Sequence, residues 1–275
     1  FQFNALLLDP YLWKLHLGGN KLVQKARAAG APLDAVVVTA GVPELEDALA
    51  LAEELSQIGI AHLVFKPGTL AQIRQVIDIA DHLGEKDASR KLIVQIEGGK
   101  AGGHHSWEDL DELLIASYPE LRQRENIVVC VGGGIGTPDI AAEYLTGTWA
   151  YAHDYPLMPL DGVLVGTAAM AALEATTSPQ VKDLLVATPG SKQWVGAGKA
   201  SNLMASGRSQ LGADLHEIDN TFSRTGRLLD EVAGDGEAVE ARREEIIEAL
   251  NRTAKPWFGD LSTMTYGEML ARFLE

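Results

Sequence analysis

Only one cysteine, Cys130, occurs among 275 residues, so no disulfide can close within the chain and no cysteine-based metal site can form. It lies in the apolar run Ile127–Val131, and such sparse cysteine fits a reducing, cytoplasmic setting. Positive charge is also scarce: 23 Lys and Arg stand against 38 Asp and Glu, for a formal net charge of −15. Phosphate backbones are held by concentrated cations, so this balance argues against a nucleic-acid binder. No hydrophobic run approaches the roughly 20 residues of a membrane span, and the first residues do not read as a signal peptide. A Gly-x-Ser-x-Gly elbow is missing, which leaves serine-hydrolase chemistry without its nucleophile motif. His16, His62, His82, His153 and His216 show no metal-ligand spacing. The adjacent His104 and His105 point apart on an extended segment. No metal site is expected.

What is present is a rhythm. Apolar residues make up 46% of the chain and gather in six short runs: Ala5–Asp9, Ala35–Gly41, His62–Gly68, Leu92–Gly98, Ile127–Gly133 and Gly162–Thr167. Each run is continuous rather than alternating, as in strands buried on both faces of a parallel sheet. Between them the spacing turns helical, with Leu45, Ala48, Leu49, Ala52 and Leu55 on one face and Ile73, Val76, Ile77, Ala80 and Leu83 on another. Thr69 with Gln72 predicts a capping box, as does Ser106 with Asp109 ahead of Trp107, Leu110, Leu113 and Leu114. Thr137-Pro138 predicts an N-cap and first turn. Strand starts lie 27 to 35 residues apart, the length of a β–α unit, which predicts an α/β fold of the (β/α) barrel or doubly wound kind. After residue 175 this rhythm stops. Residues 176–275 are expected to form a mostly helical appendage on the 1–175 portion, with one amphipathic helix over Glu237–Leu250.

Chemistry concentrates where these strands end. Leu92–Gly98 runs into Gly98, Gly99, Gly102 and Gly103 and then His104 and His105. Glycines let a backbone pass close to a flat ligand, and a histidine at a strand's C-terminal end stands where barrel enzymes place acids and bases. The turn Val131-Gly-Gly-Gly-Ile-Gly136 leads into a capped helix, an arrangement that cradles phosphate. The last strand closes in Gly166-Thr167. Glycine-rich rims on two successive final strands form the usual phosphate site of a TIM barrel, so a phosphate-bearing ligand is expected. Gly41 ends the second strand, and Lys66 the third. Lys66 could offset anionic charge at the site or simply be solvated or ion-paired.

These motifs carry a family resemblance. Ala101–His104, with Glu97 upstream, resembles the signature of nitronate monooxygenase-like FMN barrels. Gly102–Asp109 is similar in full to the Gly-Gly-His-His-Ser-aromatic-Glu-Asp segment of the enoyl reductase region of fungal and bacterial type I fatty acid synthases. Ala40–Pro43, Phe65–Gly68, Tyr144–Gly147 with Trp149, Asp154–Pro159, Lys255–Phe258 and Met264–Glu268 resemble further motifs of that branch. The resemblance implies FMN-mediated, NADPH-dependent reduction of a trans-2-enoyl thioester on an acyl carrier protein, within a large homo-oligomeric synthase alongside its other domains. It places FMN phosphate at Gly133, Gly134, Gly166 and Thr167. The isoalloxazine would lie along Gly41, Lys66, Gly98 and Gly103, with Gly99 and Gly102 in the same loop. His104 aligns with the family's active-site histidine, as proton donor or orienter of the thioester carbonyl. Gly133 stands where the fungal pattern has serine, which points to the bacterial branch. An FMN barrel has eight strands and six are legible, so two are expected ahead of Phe1. Two other readings fit part of the pattern: a nitronate-oxidising flavin enzyme, or a non-catalytic barrel serving as scaffold.

Overall fold

In the computed structural model the described residues are 1–188, 199–201, 203–208, 213–219, 221–252, and the single positions 263, 265 and 268. Lys255–Phe258 falls outside them, as do Met264, Tyr266 and Gly267 of the last motif.

Five of the six apolar runs become strands from their first residue, β2 (Ala35–Thr39), β3 (His62–Phe65), β4 (Leu92–Glu97), β6 (Ile127–Gly132) and β7 (Gly162–Leu164), while β1 (Gln2–Leu6) starts three residues before the expected Ala5–Asp9 and shares only Ala5 and Leu6 with it. A further short strand, β5 (Gly103–His104), lies between β4 and β6 in the chain. The six form one parallel sheet in the order β1-β2-β3-β4-β6-β7. A doubly wound sheet reverses direction at a switch point; this one advances across the sheet without reversal.

The register explains why the runs are apolar throughout. Val36, Leu63 and Leu92 align, and Val38, Phe65, Val94 and Val129 align two residues further on. These side chains join α3 (Leu45–Gln57), α4 (Leu70–Lys86) and α5 (Leu110–Arg122) in one large core. The opposite face carries a separate cluster of Ala35, Val37 and Val64, with Ile93 packed against it. Both faces of β2 and β3 are therefore apolar, whereas β1, at the edge of the sheet, alternates, with Gln2 and Asn4 exposed.

The helical faces are as expected. Ile73, Val76, Ile77, Ala80 and Leu83 of α4 are all buried, joined by Ile79; each such large apolar side chain contributes about 1.5–3 kcal/mol on leaving water. Thr69 caps α4 by accepting from Gln72 N. The Gln72 carboxamide oxygen in turn accepts from Gly68 N at 2.9 Å, one residue earlier than a capping box places it. Thr137 caps α6 (Pro138–Thr146) through Ile140 N. The expected cap at Ser106 is instead Asp109, whose carboxylate accepts from Asp111 N and Glu112 N. A carboxylate suits the positive end of a helix better than a hydroxyl does. Trp107 consequently lies outside α5.

The C-terminal portion is mostly helical among the described residues, but not helical alone. Residues 199–218 contribute β8 (Lys199–Ser201), β9 (Met204–Arg208) and β10 (Asp214–Ile218), and with β5 they form an antiparallel sheet ordered β5-β10-β9-β8. The appendage is thus part sheet, built on the His104 segment of the first portion. The single helix expected over Glu237–Leu250 is two, α10 (Gly236–Ala241) and α11 (Arg243–Asn251). They part at Arg242, whose guanidinium binds Glu245 and Glu231 at 2.8 Å each. Leu228 and Val232 of α9 (Thr221–Val232) bury Ile246 of α11 in a small core of their own. Helices α1 (Pro10–His16), α2 (Leu22–Ala28), α7 (Thr167–Met170) and α8 (Pro179–Ala187), with a 3-10 helix over Thr148–His153, complete the described elements. No helix among the described residues is long and apolar enough to cross a membrane.

Candidate active site

Parallel register brings the chemistry-bearing residues to one rim. Lys66 follows β3 and Glu97 ends the neighbouring β4, on the sheet face away from the helices. Their charged groups meet at 2.7 Å, with side chains only 18% and 15% exposed. Of the two roles open to Lys66, the structure provides the ion pair. Such a pair holds both side chains rigidly while presenting little net charge.

Beyond Glu97 the chain must pass beneath the start of α5. A methyl group at Gly98 would lie 2.7 Å from Leu110 N and 2.8 Å from Leu110 Cβ, so α5 alone accounts for the absence of a side chain there. The loop then tightens, with Gly99 N donating to Glu108 O at 2.9 Å and Ala101 N to Gly98 O at 3.0 Å. This compact turn lays Lys100, Ala101 and Gly102 across the ends of β6 and β7. A methyl at Gly133 would stand 3.0 Å from Ala101 N, one at Gly134 3.4 Å from Lys100 Cβ, and one at Gly102 3.6 Å from Thr167 Oγ1. Gly133 and Gly134 both adopt positive φ, 101° and 76°, a conformation that a Cβ disfavours, in the glycine turn, or nest, that leads into α6.

Three rims, from β4, β6 and β7, thus converge. Gly98, Gly99, Gly102, Gly133, Gly134 and Thr167 belong to this cluster, whereas Gly103 faces open space, and Lys66 borders the cluster through Glu97, whose Oε1 lies 3.2 Å from a methyl built on Gly132. Gly41 does not join it by contact: its neighbour is Leu7 Cδ2 at 3.1 Å. Gly166 faces open space ahead of Thr167.

His104 lies in β5, paired with Leu215 of β10, and Gly103 pairs with His216. The His104 Nε2 atom is buried and has no hydrogen-bond partner among the described residues. His105 turns the other way, its ring centroid 3.7 Å from that of His216 and 4.7 Å from that of Trp107. The Trp107 indole donates to Asp214 Oδ2 at 2.6 Å, and His105 N donates to Asp214 O at 3.2 Å. Asp214 and His216 are site residues that sequence reasoning missed. Their partners lie over a hundred positions earlier, and no local pattern signals such a pairing.

Burial of the His105 ring, with His216 and then His104 as neighbouring imidazoles, lowers its pKa to about 4 against the nearby Asp214 carboxylate. Unfolded, the same ring titrates near 6.5. The folded pKa is depressed, so the unfolded chain binds more protons between those values, and stability falls as pH drops from about 6.5 towards 4. The β5–β10 clamp is expected to lose about 2 kcal/mol over that window once solvent screening is allowed for. Amide exchange at His104 and Leu215 in the intact protein, compared with H105Q, checks this; an identical pH slope in H105Q contradicts it.

The protein is thus of the α/β class, with a parallel sheet that brings the glycine turn after β6, Thr167 after β7 and the loop leading to His104 to one rim. Residues 91–275 match the family model described as fatty acid synthase subunit beta/Fas1-like, helical. Fatty acid synthase subunit beta of Aspergillus oryzae is 35% identical over 271 residues, covering 92% of this chain and 13% of the relative. The same-named protein of Saccharomyces cerevisiae is 33% identical over 292 residues, covering all of this chain and 14% of its own length. Fatty acid synthase 2 of Mycosarcoma maydis is 34% identical over 98% of this chain and 8% of its own. The chain therefore spans a seventh or less of these relatives. It belongs to the fatty acid synthase beta subunit (Fas1-like) family.

Proposed function

We propose that this chain carries the FMN-binding and proton-donating rims of the enoyl reductase of a type I fatty acid synthase, reducing trans-2-enoyl thioesters on acyl carrier protein with NADPH. The observation that carries the reading is the convergence on one loop: Ala101 lies against the Gly133 nest, Gly102 against Thr167, and His104 follows two residues later. The relatives are fatty acid synthase subunits, which supports a role in fatty acid synthesis among the other domains of such an enzyme.

The residues fit the cofactor. A side chain at Gly133 would collide with Ala101, and the positive φ at Gly133 and Gly134 disfavours any residue with a Cβ, so only backbone stands at the turn ahead of α6, where a phosphate group can approach N–H groups. Bound FMN supplies the hydride carrier between NADPH and the substrate β-carbon. The chain's own part is to anchor the phosphate at Gly133, Gly134 and Thr167, and to fix the charge balance through Lys66–Glu97. His104 Nε2 then gives a proton to the α-carbon or a hydrogen bond to the thioester carbonyl. The uninterrupted strand order and the separate apolar cluster on the face away from the helices support a (β/α)8 barrel. In that arrangement further strands lie between β7 and β1.

The test is spectroscopic first. Intact protein should carry a flavin absorption spectrum and consume NADPH with a crotonyl thioester, and should give no turnover with alkyl nitronates. Turnover of nitronates alone would favour an oxidase, and a colourless protein that takes up no flavin a scaffold.

A further inference from the structure

Two lysines border the glycine nest, and the fold commits them differently. Lys66 is held by Glu97 at 2.7 Å, with both side chains largely withdrawn from water. Its charge is cancelled where it stands. Lys100 is 47% exposed, and its ammonium lies 3.8 Å from Asp109 Oδ2, beyond hydrogen-bonding distance. The Asp109 carboxylate is itself engaged as the cap of α5, accepting through Oδ1 from Asp111 N at 2.9 Å and Glu112 N at 3.3 Å. The stem of Lys100 runs along the nest: a methyl at Gly134 would stand 3.4 Å from its Cβ and 3.8 Å from its Cδ.

We propose that Lys100 is the phosphate-binding cation of this site, closing over the Gly133–Gly134 turn. The inference rests on the flavin reading above and adds the residue that distinguishes a phosphorylated flavin from an unphosphorylated one. A phosphomonoester carries close to two negative charges at neutral pH. Backbone N–H groups of a nest supply partial charges only, while Asp109 and the exposed Asp139 in the first turn of α6 oppose an incoming anion. A full positive charge on a mobile stem, four residues from His104, offsets them. The long contact to Asp109 is exchanged for a charge-assisted bond to a phosphate oxygen. Lys66 cannot do this without leaving Glu97 unpaired and half-buried.

FMN and riboflavin share the ring and differ at the phosphate, so the pair isolates this contact. Affinities for both are measured by flavin fluorescence quenching in the apo form of the intact protein. K100Q should weaken FMN about tenfold, the effect of losing one charge-assisted contact of ~1.4 kcal/mol. It should leave riboflavin within about twofold, and K100R should restore FMN. K66Q, which strands Glu97, should change both flavins alike. An unchanged FMN affinity in K100Q, or an equal loss for both flavins, overturns the role of Lys100. Failure of the unaltered protein to bind either flavin overturns the underlying flavin reading instead.

Discussion

Replacing Gly134 with aspartate should leave the protein without bound FMN, lowering affinity by about a hundredfold or more. Two effects act at this position, and their sizes differ. The backbone there has φ of 76°, a region that costs most L-residues on the order of 1–2 kcal/mol, but asparagine and aspartate less than others. The space is adequate, since a Cβ would meet Lys100 Cβ at 3.4 Å, an ordinary contact. Strain alone is therefore a modest perturbation. The carboxylate is the larger one, because it would stand inside the nest and repel a phosphate dianion at a distance of a few ångströms. It would also draw the Lys100 ammonium into an ion pair. Gly134→Asn supplies the control, with the same shape and backbone demand but no charge, and should retain flavin within about tenfold of the native affinity. Flavin absorbance after desalting reads out both variants. Full retention in the aspartate variant means the phosphate does not sit at this turn.

How far the sequence alone reached follows from the range of the interactions involved. The central parallel strands were legible because they are buried on both faces, and so are marked by their own composition without reference to a partner; the edge strand β1, with Gln2 and Asn4 exposed, was placed three residues late. Caps at Thr69 and Thr137 were legible for the same reason: donor and acceptor lie within three residues. The Ser106 cap failed where two polar candidates stood close together, and the charged Asp109 prevailed. Gly98 was picked out correctly as a place of close approach, but what approaches is α5. The antiparallel sheet of residues 199–218 left no such trace. Its strands are short, its ladder is filled by small or polar residues such as Ala205 and Ser206, and its first strand is two residues long. The Lys66–Glu97 pair was invisible as well, since only the register of β3 beside β4 brings residues 31 apart into contact.

That hidden sheet bears directly on the second large effect, the loss of enoyl reduction in His104→Ala. The variant should keep FMN, because the nest and Thr167 are untouched and the β5–β10 pairing depends on backbone groups. Turnover should fall by roughly 10²–10⁴, the range of a positioned general acid. Separating the half-reactions locates the fault: reduction of the flavin by NADPH should proceed normally, while its reoxidation by a crotonyl thioester should slow by that factor. Loss of both halves together would mean that the loop had collapsed. Undiminished reoxidation would move the proton elsewhere, and the structure offers poor substitutes. His105 is packed against His216 and Trp107 with a pKa near 4, so at neutral pH almost none of it carries a proton to give. Lys66 can yield one only by leaving Glu97 as an uncompensated, largely buried carboxylate. His105 also has buried ring nitrogens without a hydrogen-bond partner among the described residues, but its ring is packed against His216 and Trp107, which leaves His104 Nε2 the best placed of the three groups. The antiparallel clamp holds that nitrogen in place from a segment more than a hundred residues away.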